Sequence, residues 1–328
     1  MKKALVLMLV CILMTVAFTG CAQETGTSEG QETSDYSKWP QKTIQIIAPY
    51  NPGGDTDFNA RAYAQFLTEE LGQPVVVSNV NGSGGVVGSR TVKEANPDGY
   101  TVLFMHPALL INELAGTADY GIEDFEYVAT SGVVPGETIT VHKNSGFKNL
   151  EDLIKYSQEH PGKINVSADM ATMTHIMALQ LQEAGANINI VSAGGASDRV
   201  AALLGGHIDV IINSYGTIAD YLETGDFVAL GQTNLERSKG FPDIAPAKEQ
   251  GYDVYFEKYY FFAMPKGTPQ EIINRFSEAV KNVSENPEYA DMIFKSYRQT
   301  PLYKPAKEGL EDILRIKEDI QIFKEHFM

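Results

Sequence analysis

From Trp39 onward, short apolar runs alternate with stretches whose apolar residues recur every three or four positions. Ile44-Gln45-Ile46-Ile47 has the length and β-branched content of a strand. Phe58, Ala62, Tyr63, Phe66, Leu67 and Leu71 then share a helical face, before further strands at Val75-Val76-Val77 and Tyr100 to Phe104. The alternation returns later in the chain. It predicts helices over Leu150 to Tyr156, Thr174 to Ala184 and Asp198 to Leu204, with strands over Ile164 to Val166, Ile188 to Val191 and Ile208 to Ile212. Strands alternating with helices predict βαβ units and mostly parallel sheets. The last third reads as helical. Thr268-Pro269-Gln270-Glu271 has the pattern of a capping box, Asn286-Pro287 opens another helix, and Leu310, Ile313, Leu314, Ile320, Phe323 and Phe327 form one stripe. Two α/β modules of similar grammar are compatible with two lobes and a cleft between them.

The start of the chain differs. Lys2 and Lys3 precede an apolar run from Ala4 to Phe18, too short for a comfortable membrane span but suited to a secretory signal. Phe18-Thr19-Gly20-Cys21 resembles a bacterial lipobox, with Phe18 where leucine is usual. Residues 1–20 are then a signal peptide, and Cys21 is the lipidated mature N-terminus. An ordinary cleaved signal peptide with an incidental cysteine is the alternative. Residues 21–38 carry no aliphatic anchor and read as a flexible tether. Cleavage would also remove Cys11, which excludes a disulfide framework and cysteine-based zinc sites.

Charge narrows the partners. The chain has 26 Lys+Arg against 42 Asp+Glu, a net −16, and loss of Lys2 and Lys3 makes it −18. Nucleic acid and anionic lipid surfaces both select basic proteins, so neither is an expected partner, and membrane attachment is left to the lipid. The six histidines show no metal spacing. Neither a metal nor a cofactor is expected.

Two glycine-rich loops carry the candidate chemistry. In the first, Tyr50, Asn51, Gly53, Gly54, Asp55, Thr56 and Asp57 lie where a strand turns into a helix; Pro49 and Pro52 stiffen the turn. Backbone N–H groups at such a helix start favour an anion, although a plain turn with Asp55 or Asp57 as N-cap reads equally well. The second loop, with Asn81, Gly82, Ser83 and Gly84, follows the next strand. Both therefore lie on the sheet edge where α/β folds bind ligands. No acidic residue follows at the spacing of a dinucleotide site, and Gly82-Ser83-Gly84 is not a nucleophile elbow.

These stretches together resemble the substrate-binding proteins of tripartite tricarboxylate transporters. The resemblance runs from Trp39-Pro40 to about Thr300. Its motifs are Ala48-Pro-Tyr-x-Pro-Gly-Gly-x-x-Asp57-x-x-x-Arg61, Asn81-Gly-Ser-Gly-Gly-x-x-Gly88, Asn96-Pro-Asp-Gly-Tyr100-Thr, Pro161-Gly-Lys-Ile-Asn165, Leu203-Leu-Gly-Gly-His-Ile-Asp209-Val and Met264-Pro-Lys-Gly-Thr-Pro269. It implies a two-lobed α/β fold of the type II periplasmic-binding-protein class. Lobe 1 is residues 39–138 plus 262–328, and lobe 2 is residues 139–261. It also implies a monomer that closes on a small organic anion, performs no chemistry, and delivers it to membrane permease subunits. In this family the two lobe-1 loops hold a carboxylate through backbone groups and water rather than an arginine.

From lobe 2, Ser167, Thr172 and Thr174 match a serine/threonine-rich turn, Gly194 and Gly195 stand in a turn where relatives carry tyrosine-lysine-glycine, and Asn213 and Ser214 end a strand facing the cleft. Losing that lysine is expected to alter ligand preference. Asp57 has three readings: a cap, an organiser of the loop or a water, or a contact to a ligand hydroxyl or amino group. Arg61, one turn on, is placed to pair with it. His175 reads as a packing or capping residue, and Tyr259-Tyr260-Phe261-Phe262 as the buried strand returning to lobe 1. Two other functions stay open: a receptor presenting ligand to a membrane sensor kinase, and an exported hydrolase or lyase acting on a carboxylate. The second would need a nucleophile–base pair or a metal cluster, and the sequence displays neither.

Overall fold

The structure, a computed structural model, describes residues 36–133 and 136–327. The signal peptide, Cys21 and the tether as far as residue 35 lie outside the described residues. The tether's last residues, Tyr36–Lys38, form a 3-10 turn. Tyr36 packs on the first core and its carbonyl accepts from Trp39 N at 2.9 Å, so these residues belong to the folded body.

The chain starts with β1 (Ile44–Ala48), α1 (Asp55–Leu71), β2 (Val75–Asn79), α2 (Val86–Lys93), β3 (Thr101–Met105), α3 (Ala108–Leu114) and β4 (Phe125–Val133). It crosses into a second module: β5 (Glu137–His142), α4 (Leu150–Glu159), β6 (Ile164–Ser167), α5 (Met173–Glu183), β7 (Ile188–Val191), α6 (Ala196–Leu204), β8 (Val210–Ser214), α7 (Ala219–Glu223) and β9 (Phe227–Gln232). It returns as β10 (Tyr259–Pro265), α8 (Gln270–Glu285), α9 (Pro287–Tyr297), β11 (Lys304–Pro305) and α10 (Ala306–Asp319).

One sheet has the order β11-β4-β10-β3-β1-β2, the other β7-β6-β8-β5-β9. Both are mixed rather than mostly parallel. The βαβ strands pair in parallel, whereas β10 runs antiparallel to β3 and β4, and β5 antiparallel to β8 and β9. The antiparallel strands flank the two crossings between sheets. Of these, β4, β5 and β9 are not among the strands expected from sequence, although Phe227 to Leu230 is an apolar run and Thr138 to His142 alternates polar with apolar; Thr130-Ser131-Gly132 interrupts β4. The first sheet ends its outward run at Val133 and resumes at Tyr259, against expected lobe limits after residues 138 and 261.

The first sheet's core explains how α1 is aimed. Central strand β1 buries Ile44, Ile46, Ile47 and Ala48, as a strand covered on both faces must. Tyr63 of α1 meets Phe262 edge-on at 5.3 Å and Tyr289 at 4.8 Å, and Phe262 meets Phe276 at 5.2 Å. Each buried ring contributes roughly 1.5–3 kcal/mol, and the pairings about 0.5–1.5 kcal/mol more. These contacts hold α1, α8 and α9 on one face and present the α1 N-terminus at the sheet's carboxyl edge. Gly72 stops α1 in the left-handed conformation (φ +66°), donating to Thr68 O. Asn286 caps α9, accepting from Glu288 N at 2.8 Å. The expected capping box before α8 does not form: the Thr268 hydroxyl instead donates to Pro265 O at 2.7 Å.

The C-terminal segment joins the two modules. Ile316, Ile320, Phe323 and Phe327 share a buried cluster with Ile176 and Leu179 of α5. The Phe327 ring lies 5.5 Å from His175, which is a packing residue away from the cleft.

Candidate ligand-binding site

A cavity of about 540 Å³ lies where the carboxyl edges of the two sheets meet. Its first wall is the pair of glycine loops, and their construction begins with Asp57. One Asp57 oxygen accepts from Gly53 N at 3.0 Å. The other accepts from Arg61 Nε and Asn79 Nδ2, both at 2.9 Å. Asn79 Nδ2 also donates to Tyr50 O at 3.1 Å. Burial raises the Asp57 pKa, but the bonds from Arg61, Gly53 and Asn79 outweigh it and leave the carboxyl below its ordinary value. Asp57 is thus the organiser of the first loop. Gly53 takes φ +83°, which allows the turn, and Gly54 occupies the N-cap of α1 without a side-chain bond.

The second loop holds four successive residues at positive φ: Gly82, Ser83, Gly84 and Gly85. Its Gly84 carbonyl accepts from Tyr50 OH and Asn112 Nδ2, both at 3.1 Å. Asn81 Nδ2 donates to Asn51 Oδ1 at 2.8 Å and ties loop to loop. Gly88 makes the join possible, since a Cβ there would lie 2.6 Å from Pro49 Cβ and Val80 O.

The facing wall is built from two helix starts. Thr172 caps α5 and pairs with Thr174 Oγ1 at 2.8 Å. At α6, Gly195 is the N-cap and its N–H donates to Asp198 Oδ2 at 2.9 Å. Arg199, in the same first turn, donates from Nε to Asn213 Oδ1 at 2.7 Å and from Nη1 to Gly194 O at 3.1 Å. The walls stand close: a Cβ on Gly53 would lie 3.6 Å from Ser197 Oγ, and one on Gly84 would lie 4.0 Å from Thr172 Cγ2.

The floor is a buried charge cluster at the crossings. Lys258 Nζ pairs with Asp55 Oδ2 and, at 2.9 Å, with Glu137 Oε1. Tyr260 OH donates to Asp55 Oδ2 at 2.5 Å. Ser214 Oγ lies 2.8 Å from Asp55 Oδ2 and 3.2 Å from Glu137 Oε1, with one proton to give. Burial alone would raise the Asp55 pKa; the Lys258 charge and the bonds from Lys258 and Tyr260 hold it far below the usual carboxylate range. Burial disfavours a charged Lys258, but Asp55 and Glu137 raise its pKa. His106 stacks on Tyr50 at 4.9 Å, and burial with the Lys258 charge pulls its pKa down to about 3. It stays neutral at physiological pH.

Of the residues expected from sequence, Tyr50, Asn51, Gly54, Asp55, Thr56, Asn81, Gly82, Ser83, Gly84, Thr172, Thr174, Gly194 and Gly195 line the cavity. Gly53, Asp57, Ser167 and Asn213 do not. Gly53 and Asp57 shape the first loop from behind. Asn213 is fully buried and orients Arg199 and the start of α6, donating to Ala196 O at 3.0 Å. Ser167 is fully buried at the end of β6. Asp55 reaches the cavity but spends one oxygen on Lys258, Tyr260 and Ser214. Sequence reasoning missed Lys258, Glu137, His106, Asp169, Asp198 and Arg199 as lining groups. Only Arg199 left a usable signal: a cation in the first turn of a helix, where the macrodipole opposes it.

The profile of the tripartite tricarboxylate transporter family receptors matches residues 59–308. The chain belongs to this family. The receptor is 33% identical over 242 residues to BugT of Bordetella pertussis, spanning 72% of this chain and 74% of BugT. The solved periplasmic binding protein BugD is similar with a TM-score of 0.79 and 26% identity, covering 88% of this chain and 97% of BugD. MatC from Rhodopseudomonas palustris, with bound malate, shares the fold with a TM-score of 0.76 at 22% identity, covering 88% of this chain and all (100%) of MatC. The receptor is therefore an extracytoplasmic solute-binding protein with a type II periplasmic-binding-protein fold, and it is not an enzyme.

Proposed function

We propose that the receptor captures a small organic carboxylate between its two lobes and delivers it to the membrane permease subunits of a tripartite tricarboxylate transporter. The observation that carries this reading is the cavity wall itself, with two glycine loops on one side and the starts of α5 and α6 on the other. Helix starts and positive-φ turns offer N–H groups to an anion at fixed positions. A volume of about 540 Å³ holds a di- or tricarboxylate with some water. The malate bound to MatC supports the same ligand class. Ligand docks on the glycine loops and the second lobe closes over it by hinge motion. In this reading the receptor acts as a monomer, held at the membrane by a lipid on Cys21.

Calorimetric titration with succinate, malate, adipate, citrate, aspartate and a neutral sugar tests the reading. Heat with at least one acid and none with the sugar is the expected result. Heat with the sugar alone would sink it. Replacement C21S should move the protein from the membrane fraction to the soluble one; unchanged partition would remove the anchor.

A further inference from the structure

Arg199 stands in a place that two physical effects disfavour. It is in the first turn of α6, where the helix macrodipole repels a cation, and it lies against the cavity, where burial lowers its pKa. Among the described residues no carboxylate lies within ion-pair distance of it. The four that surround it are committed elsewhere: Asp55 and Glu137 to Lys258, Asp198 to Gly195 N, and Asp169 to Ser192 Oγ. The guanidinium is nevertheless held firmly. Nε is fixed by Asn213, itself fully buried and anchored to Ala196 O and Thr217 Oγ1, and Nη1 is fixed by Gly194 O. Those bonds use two of the five N–H groups, and Nη2 has no protein partner among the described residues.

A cation oriented on one edge, open on the other and touched by no carboxylate, although four act on it through space, is preorganised for an anionic ligand. We propose that Arg199 is the charged contact of the site: its free edge takes one carboxylate of a dicarboxylic acid while the glycine loops of the first sheet hold the other. The second lobe thereby supplies the charge and the first supplies backbone amides, so a dianion is retained only when both lobes engage it. This rests on the carboxylate reading above and adds to it both the residue and the charge of the ligand.

The test titrates wild type, R199K and R199Q with succinate, adipate and the monoamide of each. The monoamide keeps the length and loses one charge. Wild type should prefer a diacid over its monoamide by about 100-fold, the scale on which a desolvated charge pair discriminates. R199Q should reduce that preference to a few-fold, and R199K should keep part of it. A structural role alone would weaken diacid and monoamide equally, and melting curves of both variants report the fold independently. An unchanged preference in R199Q, or an equal loss for both ligands, overturns the assignment. Wild type that binds diacid and monoamide equally also overturns it, yet leaves the carboxylate reading standing. Wild type that binds no acid removes that reading, and this inference with it.

Discussion

Replacing Lys258 with methionine would expose how much of the fold rests on the cluster at the lobe crossings. The lysine is 5% exposed and neutralises Asp55 at the start of α1 and Glu137 at the start of β5. Methionine fills similar space but leaves two carboxylates in a site built for a cation. Breaking a buried pair by removing one partner costs about 3–5 kcal/mol, because the charge left behind is unpaired. A folded body of about 290 residues unfolds with an entropy near 0.6 kcal/mol per kelvin, so the melting temperature should fall by about 5–8 °C at pH 7.5. The pH dependence carries the sharper signature. In wild type the folded Asp55 pKa is depressed, so its contribution is present above the unfolded value near 4 and lost as pH falls through the folded one. Without Lys258, only the bonds from Tyr260 and Ser214 still oppose burial, and the folded pKa of Asp55 is expected to rise above the unfolded value. The folded variant then binds the extra proton, so acidification stabilises it relative to wild type. Calorimetric melts of ligand-free protein at pH 7.5 and 5.5 check both points, and the deficit of K258M should shrink at the lower pH. A variant melting within 1 °C of wild type, or one whose deficit is equal at both pH values, would refute the reasoning.

Three further outcomes follow from the same geometry. Asp57→Ala releases Gly53 N, Arg61 and Asn79 together; ligand affinity should drop by about 10-fold or more while stability falls by about 1–3 kcal/mol, with titration and melting on one sample as the check. Gly88→Ala drives a methyl to 2.6 Å from Pro49 Cβ and Val80 O, so the glycine loops must part, at a cost of about 1–3 kcal/mol in urea unfolding; wild-type stability would show that the loops are not packed through this residue. His106, held at about 3 by burial and the Lys258 charge, refuses a proton that the unfolded chain accepts near 6.5. Stability should therefore fall by about 1.4 kcal/mol per pH unit below about 6.5, and His106→Gln should flatten that limb; parallel profiles would count against it.

Much of this protein was determined by sequence alone, where the signal is local. The β1-α1-β2 and β6-α5-β7 units, the Asn286 cap, the pairing of Arg61 with Asp57 and the two glycine loops all depend on residues within a few positions of one another. Period and turn chemistry act at that range. The same locality explains the errors. Asp57, one of four expected site residues outside the cavity lining, sits in the right loop, but whether a side chain faces the cavity or the structure behind it depends on what packs there. Of the strands at the crossings only β10 was expected; β4, β5 and β9 are short or mixed stretches whose partners, β10 for β4, β8 for β5 and β5 for β9, lie far along the chain. Tertiary structure alone brought Lys258 to Asp55, 203 positions away, and to Glu137, 121 positions away. It also set Arg199 on Asn213 with one edge open. Charge pairing acts through space and leaves no period in the chain, so the glycine loops could be read in advance while the charges of the cavity awaited the fold.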